Sequence, residues 1–515
     1  MPRPQRIARI VALSCLTLLA GLTGSSRADV RLPHIFGDHM VLQREKPVRV
    51  WGWADTGEKV TVTIESEHAE ATSDEHGAWK VELPPVSAKS AIEVKVAGKN
   101  TIVLHDVLVG EVWVCSGQSN MQMTVSSSNN ARKEIKEANH PEIRLFTVPM
   151  RPAGDPAEDV TAAWTACSSK TVPNFTAVGY FFGRDLHEQL GVPIGLINSS
   201  WGGTRIEPWT PIVGFRDVPE LKGILGDIEK ARAEFAKATA AALPRYAEWL
   251  SRAEKAKENH EYIPSPPEWP VSPLSTNYTP TGLYNGMIHP LVPFAIRGAL
   301  WYQGESNLGD GMLYLQKMKA LIDGWRSVWN EGDFPFLFVQ LAPYRYGTAN
   351  PTLLPKLWEA QTAALSIPDT GMAVTIDVGN PTDIHPKDKQ DVGKRLALWA
   401  LAKTYGKQIV YSGPLYKSMS IDGSKVRVKF EHVGGGLVAR DNKPLNWFQV
   451  AGEDKKFVDA DATIDGDSVV VSSSKVPKPV AVRFAWDQVA DPNLQNVEGL
   501  PAAAFNTESV PAEKH

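Results

Sequence analysis

Cysteine is scarce in this chain, with three cysteines among 515 residues. Cys15 lies in an apolar run near the start, which leaves Cys115 and Cys167 for the rest of the protein. A chain this long does not depend on disulfides, so a small disulfide-rich scaffold is excluded. The two remaining cysteines are compatible with a disulfide or with two buried thiols, because the sequence does not give their separation.

Motifs for metals and nucleotides are also missing. The sequence contains no His-Glu-x-x-His motif and no paired Cys-x-x-Cys motif, which are spacings typical of zinc sites. It has no glycine fingerprint for a dinucleotide and no internal repeat. We therefore predict that the protein binds neither a metal nor a cofactor.

Positive charge is not in excess. The chain has 54 Lys and Arg against 58 Asp and Glu, a net charge of -4 with neutral histidines. Binding to nucleic acid depends mainly on clustered Lys and Arg that neutralise phosphates. Nucleic acid is therefore not expected as a partner.

A long apolar run is absent as well, since a membrane span needs about 20 apolar residues. The run at residues 10–22 is shorter; it follows Arg3, Arg6 and Arg9 and leads into small residues that end at Ala28. This arrangement is typical of a secretory signal. We predict that residues 1–28 are a signal peptide and that the protein is secreted or periplasmic, without a membrane span.

The 487 residues that would follow the signal are expected to form two or three domains. Residues 29–108 read as short alternating strands separated by turns, which predicts a β-sandwich domain. Residues 109–407 alternate strand, loop and helix, which predicts a parallel sheet covered by helices. Residues 408–515 return to a β pattern and are predicted to form a β-rich module. The predicted fold class is α/β.

Several elements of the central region can be placed individually. Helix patterns cover residues 312–329 and 391–403, and an apolar strand is predicted at 373–376. Residues 219–258 are rich in Ala, Glu and Lys at helical spacing, and a proline-rich stretch follows them. We interpret residues 215–275 as a helical insertion, with a solvated helical hairpin that carries no chemistry as the simpler reading.

The most informative residues lie in two short stretches. Residues 116–121, Ser-Gly-Gln-Ser-Asn-Met, follow the apolar run at 112–115, so a strand is expected to end in a turn that exposes Ser119. Residues 383–386, Asp-Ile-His-Pro, contribute His385. Serine becomes a useful nucleophile when a histidine takes its proton and an acid orients that histidine. Position 121 is Met, so the Gly-x-Ser-x-Gly elbow of α/β-hydrolases is absent.

Two further blocks complete a family pattern: Ser-Trp-Gly-Gly-Thr at 200–204 and Trp-Tyr-Gln-Gly-Glu-Ser-Asn at 301–307. With the serine and histidine blocks, in this order, the chain resembles sialate O-acetylesterases and related carbohydrate acetylesterases of the SGNH hydrolase superfamily. The resemblance implies a three-layer, flavodoxin-like parallel-sheet catalytic domain flanked by β-sandwich-type modules.

The resemblance also implies catalytic roles. Ser119 would be the nucleophile, and His385 the general base that later protonates the leaving sugar oxygen. Many SGNH enzymes have an aspartate three residues before the histidine, whereas here that position is Thr382 and the aspartate is Asp383. Asp383 is the first choice for the acid that orients His385, and Glu305 is the alternative.

Further residues are implied for the oxyanion and the sugar. Oxyanion donors would be the backbone N–H of Ser119, the backbone N–H of Gly202 or Gly203, and the side-chain amide of Gln303. The predicted substrate-binding residues, which lie in or beside the blocks at 116–121, 200–204 and 301–307, are Gln118, Asn120, Trp201, Arg205 and Trp301. Arg205 would suit a sialic-acid carboxylate or form a surface ion pair. The two tryptophans would stack on sugar or pack in the core.

The resemblance implies a carbohydrate O-acetylesterase that forms an acetyl-serine intermediate. Sialic acid is the leading substrate, and acetylated plant polysaccharide such as xylan or pectin is the second. A glycoside hydrolase using Asp383 and Glu305 is a rival that leaves the serine block unexplained. A non-catalytic carbohydrate-binding protein is the alternative of another class. The sequence leaves the oligomeric state open.

Overall fold

The computed structural model describes residues 29–87, 91–347 and 350–508. The predicted signal peptide, residues 1–28, lies outside the described residues together with Cys15. Within the described ranges, no helix is both long enough and apolar enough to cross a membrane.

The N-terminal region consists of short strands whose side chains alternate between core and surface. The first six strands are β1 (Val41–Gln43), β2 (Val48–Trp53), β3 (Lys59–Ile64), β4 (Glu67–Thr72), β5 (Ala78–Leu83) and β6 (Ile92–Ala97). In β2 and β5 every second residue is buried, as expected for strands with one face on a core. β2 pairs with β5, and β3 pairs with β4 and β6, all antiparallel.

A single long strand, β7 (Thr101–Gly117), joins this region to the central sheet. Its first part pairs antiparallel with β6, and its last seven residues pair parallel with strands of the central sheet. The boundary that we predict at 108/109 falls inside this continuous strand. One hydrophobic core cluster includes residues from all three predicted regions. The division into domains stays a prediction.

The central sheet is parallel, apart from one edge strand, and β7 lies in its middle. Its other strands are β8 (His140–Thr147), β9 (Thr165–Cys167), β10 (Ile194–Ser200), β11 (Gly298–Tyr302), β12 (Phe336–Val339) and β13 (Thr370–Ala373). The order is β13-β12-β11-β7-β10-β8-β9, with only β9 antiparallel to its neighbour in this path. β10 and β11 are buried along their whole length, as parallel strands covered on both faces should be.

Helices cover both faces of this sheet. The helices are α1 (Ser119–Gln122), α2 (Ala131–Glu137), α3 (Ala177–Leu190), α4 (Ile212–Arg216), α5 (Lys222–Glu258), α6 (Leu313–Trp329), α7 (Leu353–Ala363) and α8 (Lys389–Trp399). Trp113 of β7 contacts Phe182 of α3 on one face, and α3 packs against α8. Trp301 of β11 contacts Trp325 of α6 on the other face. The predicted α/β class with three layers is confirmed.

The insertion contains one long helix. α5 has 37 residues and includes Pro244. A small separate core, with Phe215 and Leu221, anchors its first turns against α6. Farther along, Trp249 and Tyr246 donate hydrogen bonds to the carbonyls of Pro264 and Pro267 in the returning chain. The proline-rich stretch therefore covers one face of the helix.

The C-terminal region is made of antiparallel strands. They are β14 (Leu415–Asp422), β15 (Lys425–Glu431), β16 (Leu437–Ala439), β17 (Phe448–Ala451), β18 (Val458–Asp459), β19 (Asp461–Asp465), β20 (Ser468–Ser472), β21 (Ala481–Phe484), β22 (Leu494–Asn496) and β23 (Phe505–Asn506). They form two four-stranded sheets and one two-stranded sheet. The β-rich character expected for this end of the chain is confirmed.

The two cysteines of the described chain are free thiols, and both are buried. Cys115 is 0% exposed on the α3 face of β7, and Cys167 is 1% exposed in β9. Burial raises the pKa of both thiols, that of Cys167 to about 12. They behave as small apolar core residues.

We expect Gly117→Ala to destabilise the protein. Gly117 has φ +137°, and a Cβ there would lie 2.2 Å from the carbonyl oxygen of Tyr302. Backbone strain and overpacking together should cost roughly 2–4 kcal/mol. Thermal unfolding followed by circular dichroism would measure the loss. Gly309→Ala is the matched control because its Cβ would meet nothing within 4 Å. Equal melting temperatures for the two variants would contradict the expectation.

Candidate active site

Three of the four sequence blocks meet at the carboxyl ends of adjacent strands. In the parallel register, Gly117 is opposite Ser200 of β10 on one side and opposite Tyr302 of β11 on the other. The next strands of the chain, β8 and β10, lie on one side of β7, and the later strands β11, β12 and β13 lie on its other side. The strands that follow one another along the chain thus change sides at β7, and ligands of open α/β sheets bind at such a switch point. Ser119 lies two residues after the end of β7.

The turn after β7 places Ser119 at the carboxyl end of this strand. The backbone N–H of Gln118 donates to the carbonyl of Tyr302 at 3.0 Å, and Ser119 is the first residue of α1. Ser119 is half-buried. Its hydroxyl makes no hydrogen bond with any described residue. The side chain is therefore free to meet a substrate.

The fourth block arrives from the edge of the sheet. His385 lies in the loop between β13 and α8, and its backbone N–H donates to Asp383 Oδ1 at 2.9 Å. The Asn120 side-chain amide donates to the carbonyl of Ile384 at 3.0 Å. This bond joins the residue after Ser119 to the residue before His385. The structure thus brings the two segments together.

No hydrogen bond closes a Ser-His-Asp triad among the described side chains. The His385 ring has no hydrogen-bond partner there. Catalytic hydrogen bonds are often long in the absence of substrate and tighten when it binds. Burial, and then the charge of Lys389, lower the pKa of His385, whereas the charge of Asp383 raises it. The net direction is downward, which favours the neutral imidazole, the form that a general base needs.

Glu305 contacts Asn120 and makes no hydrogen bond with His385. Glu305 Oε1 accepts from the Asn120 amide at 2.5 Å, and Oε2 is buried without a partner among the described residues. Burial raises the pKa of this carboxyl group. Asp383 is the carboxylate whose charge acts on His385. Neither carboxylate forms a hydrogen bond with the His385 ring among the described residues, so the choice between Asp383 and Glu305 stays a prediction.

The two glycines of the second block differ in their backbone N–H groups. The N–H of Gly202 donates to Gln122 Oε1 at 2.8 Å. The N–H of Gly203 has no acceptor within the described chain, and this residue is exposed with φ +76°. A Cβ on Gly202 would lie 3.2 Å from the Cβ of Ser119. The glycine turn therefore lies against Ser119, and of its two glycines Gly203 has the N–H group without an acceptor in the described chain.

The Gln303 side chain is occupied by other partners. It is 0% exposed, and its Nε2 lies within hydrogen-bonding distance of Gln118 Oε1, the Thr204 carbonyl and Asn307 Oδ1, at 3.1, 3.1 and 2.7 Å. An amide nitrogen has two protons, so these acceptors use both. A direct role at the oxyanion would require exchange of these bonds.

Gln118 belongs to the same buried framework. It is 3% exposed. Its Oε1 also accepts from the backbone N–H of Ser306 at 3.3 Å. Through these contacts Gln118 holds the loop of residues 301–307 in place. They argue against direct contact between the Gln118 side chain and substrate. Asn120 is 2% exposed and likewise joins two segments, the Ser119 turn and the His385 loop.

The predicted sugar-stacking residues differ in exposure. Trp301 is 1% exposed, packed between Trp209 and Trp325, so neither of its faces is open to a sugar here. Trp201 is half-buried beside the glycine turn and has some surface available. Core packing therefore accounts for Trp301.

Arg205 is held by acidic neighbours. Its Nη2 donates to Glu207 at 3.0 Å and to Asp310 at 3.2 Å, and Lys317 contacts both carboxylates. Burial alone would raise the pKa of Glu207, but the hydrogen bond from Arg205 and the charge of Lys317 lower it to about 2. Arg205 still has 42% of its side chain exposed, but its charge is balanced within the protein.

Sequence reasoning missed Lys389. This lysine is fully buried beside the site, and its Nζ donates to Asn120 Oδ1 at 2.6 Å. The available signal was weak: a lysine four residues after His385 at a helix start is ordinary in sequence. Within the described residues, no group of three His, Cys, Asp or Glu side chains could hold a metal ion.

Comparison with known proteins identifies the family of this chain. A family model described as carbohydrate esterase, sialic acid-specific acetylesterase, matches residues 109–259 and 272–402. The sialate O-acetylesterase of Rattus norvegicus is 31% identical over 94% of this chain and 93% of its own length. That of Homo sapiens is 30% identical over 92% of this chain and 90% of its own.

The chain belongs to the sialic acid-specific acetylesterase family of carbohydrate esterases. A crystal structure of a carbohydrate acetylesterase from Xanthomonas citri supports the same assignment, with 36% identity, a TM-score of 0.80 and coverage of 93% of this chain and all of that one. The protein is thus a carboxylic ester hydrolase. The family resemblance of the four sequence blocks is confirmed.

The placement of the two acids in this esterase leads to a test of the triad. We expect Asp383→Asn to lower kcat by roughly 10²- to 10⁴-fold, because it removes the carboxylate charge that stabilises protonated His385. Glu305→Gln should lose less, within about tenfold, since a glutamine oxygen still accepts from Asn120. Steady-state kinetics with 4-nitrophenyl acetate would compare the two. A larger loss in Glu305→Gln would assign the orienting role to Glu305 instead.

Proposed function

We propose that this esterase removes O-acetyl groups from a carbohydrate through an acetyl-Ser119 intermediate. The observation that carries the proposal is the meeting of three strand ends and the His385 loop at the free hydroxyl of Ser119. Export from the cytoplasm, by the signal peptide predicted at residues 1–28, is part of the proposal.

The first half-reaction forms the intermediate. Ser119 Oγ attacks the acetyl carbonyl carbon while His385 accepts the hydroxyl proton. The carbonyl oxygen becomes an oxyanion, which the backbone N–H groups of Ser119 and Gly203 would bind. The bond between the acyl carbon and the sugar oxygen then breaks, and His385 gives its proton to that oxygen.

The second half-reaction releases acetate. Water attacks the acetyl carbonyl of Ser119, and His385 accepts a proton from this water. The same N–H donors bind the second oxyanion, and the serine oxygen leaves with the proton from His385. Asp383 favours the protonated imidazole in both halves by its negative charge.

Sialic acid is our first candidate for the sugar. The family description and the curated relatives refer to sialate. A second candidate is an acetylated neutral plant polysaccharide such as xylan or pectin, and one observation favours it. Arg205, the cation expected to bind a sialate carboxylate, already contacts Glu207 and Asp310, which would compete with that carboxylate.

Covalent labelling tests the nucleophile. We expect a fluorophosphonate to add one phosphonyl group to Ser119, located by mass spectrometry of proteolytic peptides. Ser119→Ala should abolish labelling and lower kcat at least about 10³-fold. Ser126→Ala, an exposed serine nearby, should keep both. Sugar binding by an unlabelled protein without ester turnover would instead support the carbohydrate-binding alternative.

Acetate release from a substrate panel tests the sugar. If sialic acid is the substrate, kcat/KM for O-acetylated sialic acid should exceed that for acetylated xylan and pectin by at least about 100-fold, a difference of roughly 2.7 kcal/mol. The methyl ester of the same acetylated sialic acid should be slower, because it lacks the carboxylate. Preference for the polysaccharides, with no effect of the methyl ester, would favour the second candidate.

A further inference from the structure

Lys389 lies where a lysine is unfavourable for two reasons. It is 0% exposed, and lysine is almost never fully buried without a partner. It is also the first residue of α8, where the positive end of the helix dipole disfavours a cation. A residue that breaks two local preferences at the edge of an active site needs a compensating role.

The contacts of Lys389 point toward the catalytic segments. Its Nζ donates to Asn120 Oδ1 at 2.6 Å and lies 5.0 Å from the centre of the Tyr302 ring. No carboxylate of the described chain forms a salt bridge with it. The Asn120 amide instead connects the cation to Glu305. The buried charge is therefore compensated through the amide and by the face of the ring.

Lys389 and two acceptors together orient the Asn120 amide. An asparagine has one acceptor oxygen and two N–H donors. The oxygen faces Lys389, and the nitrogen faces Glu305 Oε1 and the carbonyl of Ile384. The opposite orientation would bring N–H groups against a cation and an oxygen against two acceptors. With Lys389 charged, the bond from Asn120 to the His385 loop is thus the favoured arrangement.

We propose that Lys389 is a positioning residue for the esterase reaction: a buried cation that orients the Asn120 amide and so holds the His385 loop against the Ser119 turn. The proposal rests on the proposed function, in which His385 is the base. Lys389 touches neither substrate nor reacting atoms in this role.

The charge of Lys389 also acts on His385. The charged groups that influence the pKa of His385 are Lys389, which lowers it, and Asp383, which raises it. The groups that face Lys389 are Glu305 after β11 and Asp383 and Asp388 from its own loop; burial outweighs them and lowers the pKa of Lys389 to about 7. Removing the cation should raise the pKa of His385. As the pH is lowered, the variant should then lose activity at a higher pH than the wild type does.

The decisive experiment compares Lys389→Met, Lys389→Gln and Lys394→Met. The first two remove the buried charge, and Gln leaves a smaller polar side chain in case Met does not fold. Lys394 is an exposed lysine of the same helix and is the matched control. The rates of 4-nitrophenyl acetate hydrolysis and of fluorophosphonate labelling are measured from pH 5 to 9, with melting temperatures as a check on folding.

We expect both Lys389 variants to lower kcat at pH 7 at least tenfold, with KM within about twofold. The acid limb of kcat/KM should move up by about 0.5 to 1 pH unit, in line with the loss of a nearby charge. The labelling rate should show the same shift. Lys394→Met should match the wild type in both rates and in its acid limb.

An unchanged acid limb in a folded Lys389 variant, even with lower stability, would overturn the proposal and leave a purely structural lysine. That result is distinguishable from failure of the proposed function, which would appear as hydrolysis and labelling that persist in Ser119→Ala. If neither neutral variant folds, the role is structural and the proposal is also overturned.

Discussion

The close approach of β7 to β11 at Gly117 is the constraint on which the site depends. The Gly117 position lies so near the carbonyl of Tyr302 that a side chain would not fit there. Parallel pairing on both sides of this point delivers the serine turn, the glycine turn and the Gln303 loop to one edge of the sheet. The position of Ser119 at this edge is therefore a consequence of strand order, because the strand that precedes it, β7, lies where the strands change from one side of the sheet to the other.

The fourth segment needs a different kind of contact. His385 comes from a loop after the edge strand β13, and sheet pairing alone does not place it at Ser119. A side-chain amide, Asn120, supplies the connection, with a cation on one side and two acceptors on the other. Buried polar groups of this kind are costly unless all their bonds are made. Asn120 meets that condition, and it makes the site sensitive to the charge of Lys389.

The surroundings of the site contain more internal support than substrate contact. Gln118 and Gln303 bond to each other and to neighbouring loops. Arg205 is paired with two carboxylates. Side chains that adjoin a motif are thus often the ones that hold its loops in place. Ser119 Oγ, the His385 ring and the backbone N–H of Gly203 form no hydrogen bond with the described residues, and their position depends on this framework.

The sequence alone determined the α/β class, the family, and a helix predicted at 312–329 and found at Leu313–Trp329, because apolar periodicity and motif spacing are local properties. It was less accurate at the edge strand, predicted at 373–376 and found at Thr370–Ala373, since a short apolar run does not reveal where pairing ends. Only the tertiary structure decided that Trp301 is buried, that Glu305 contacts Asn120, and that Lys389 is enclosed. Those outcomes depend on contacts between distant residues, such as Asn120 and Lys389, 269 positions apart.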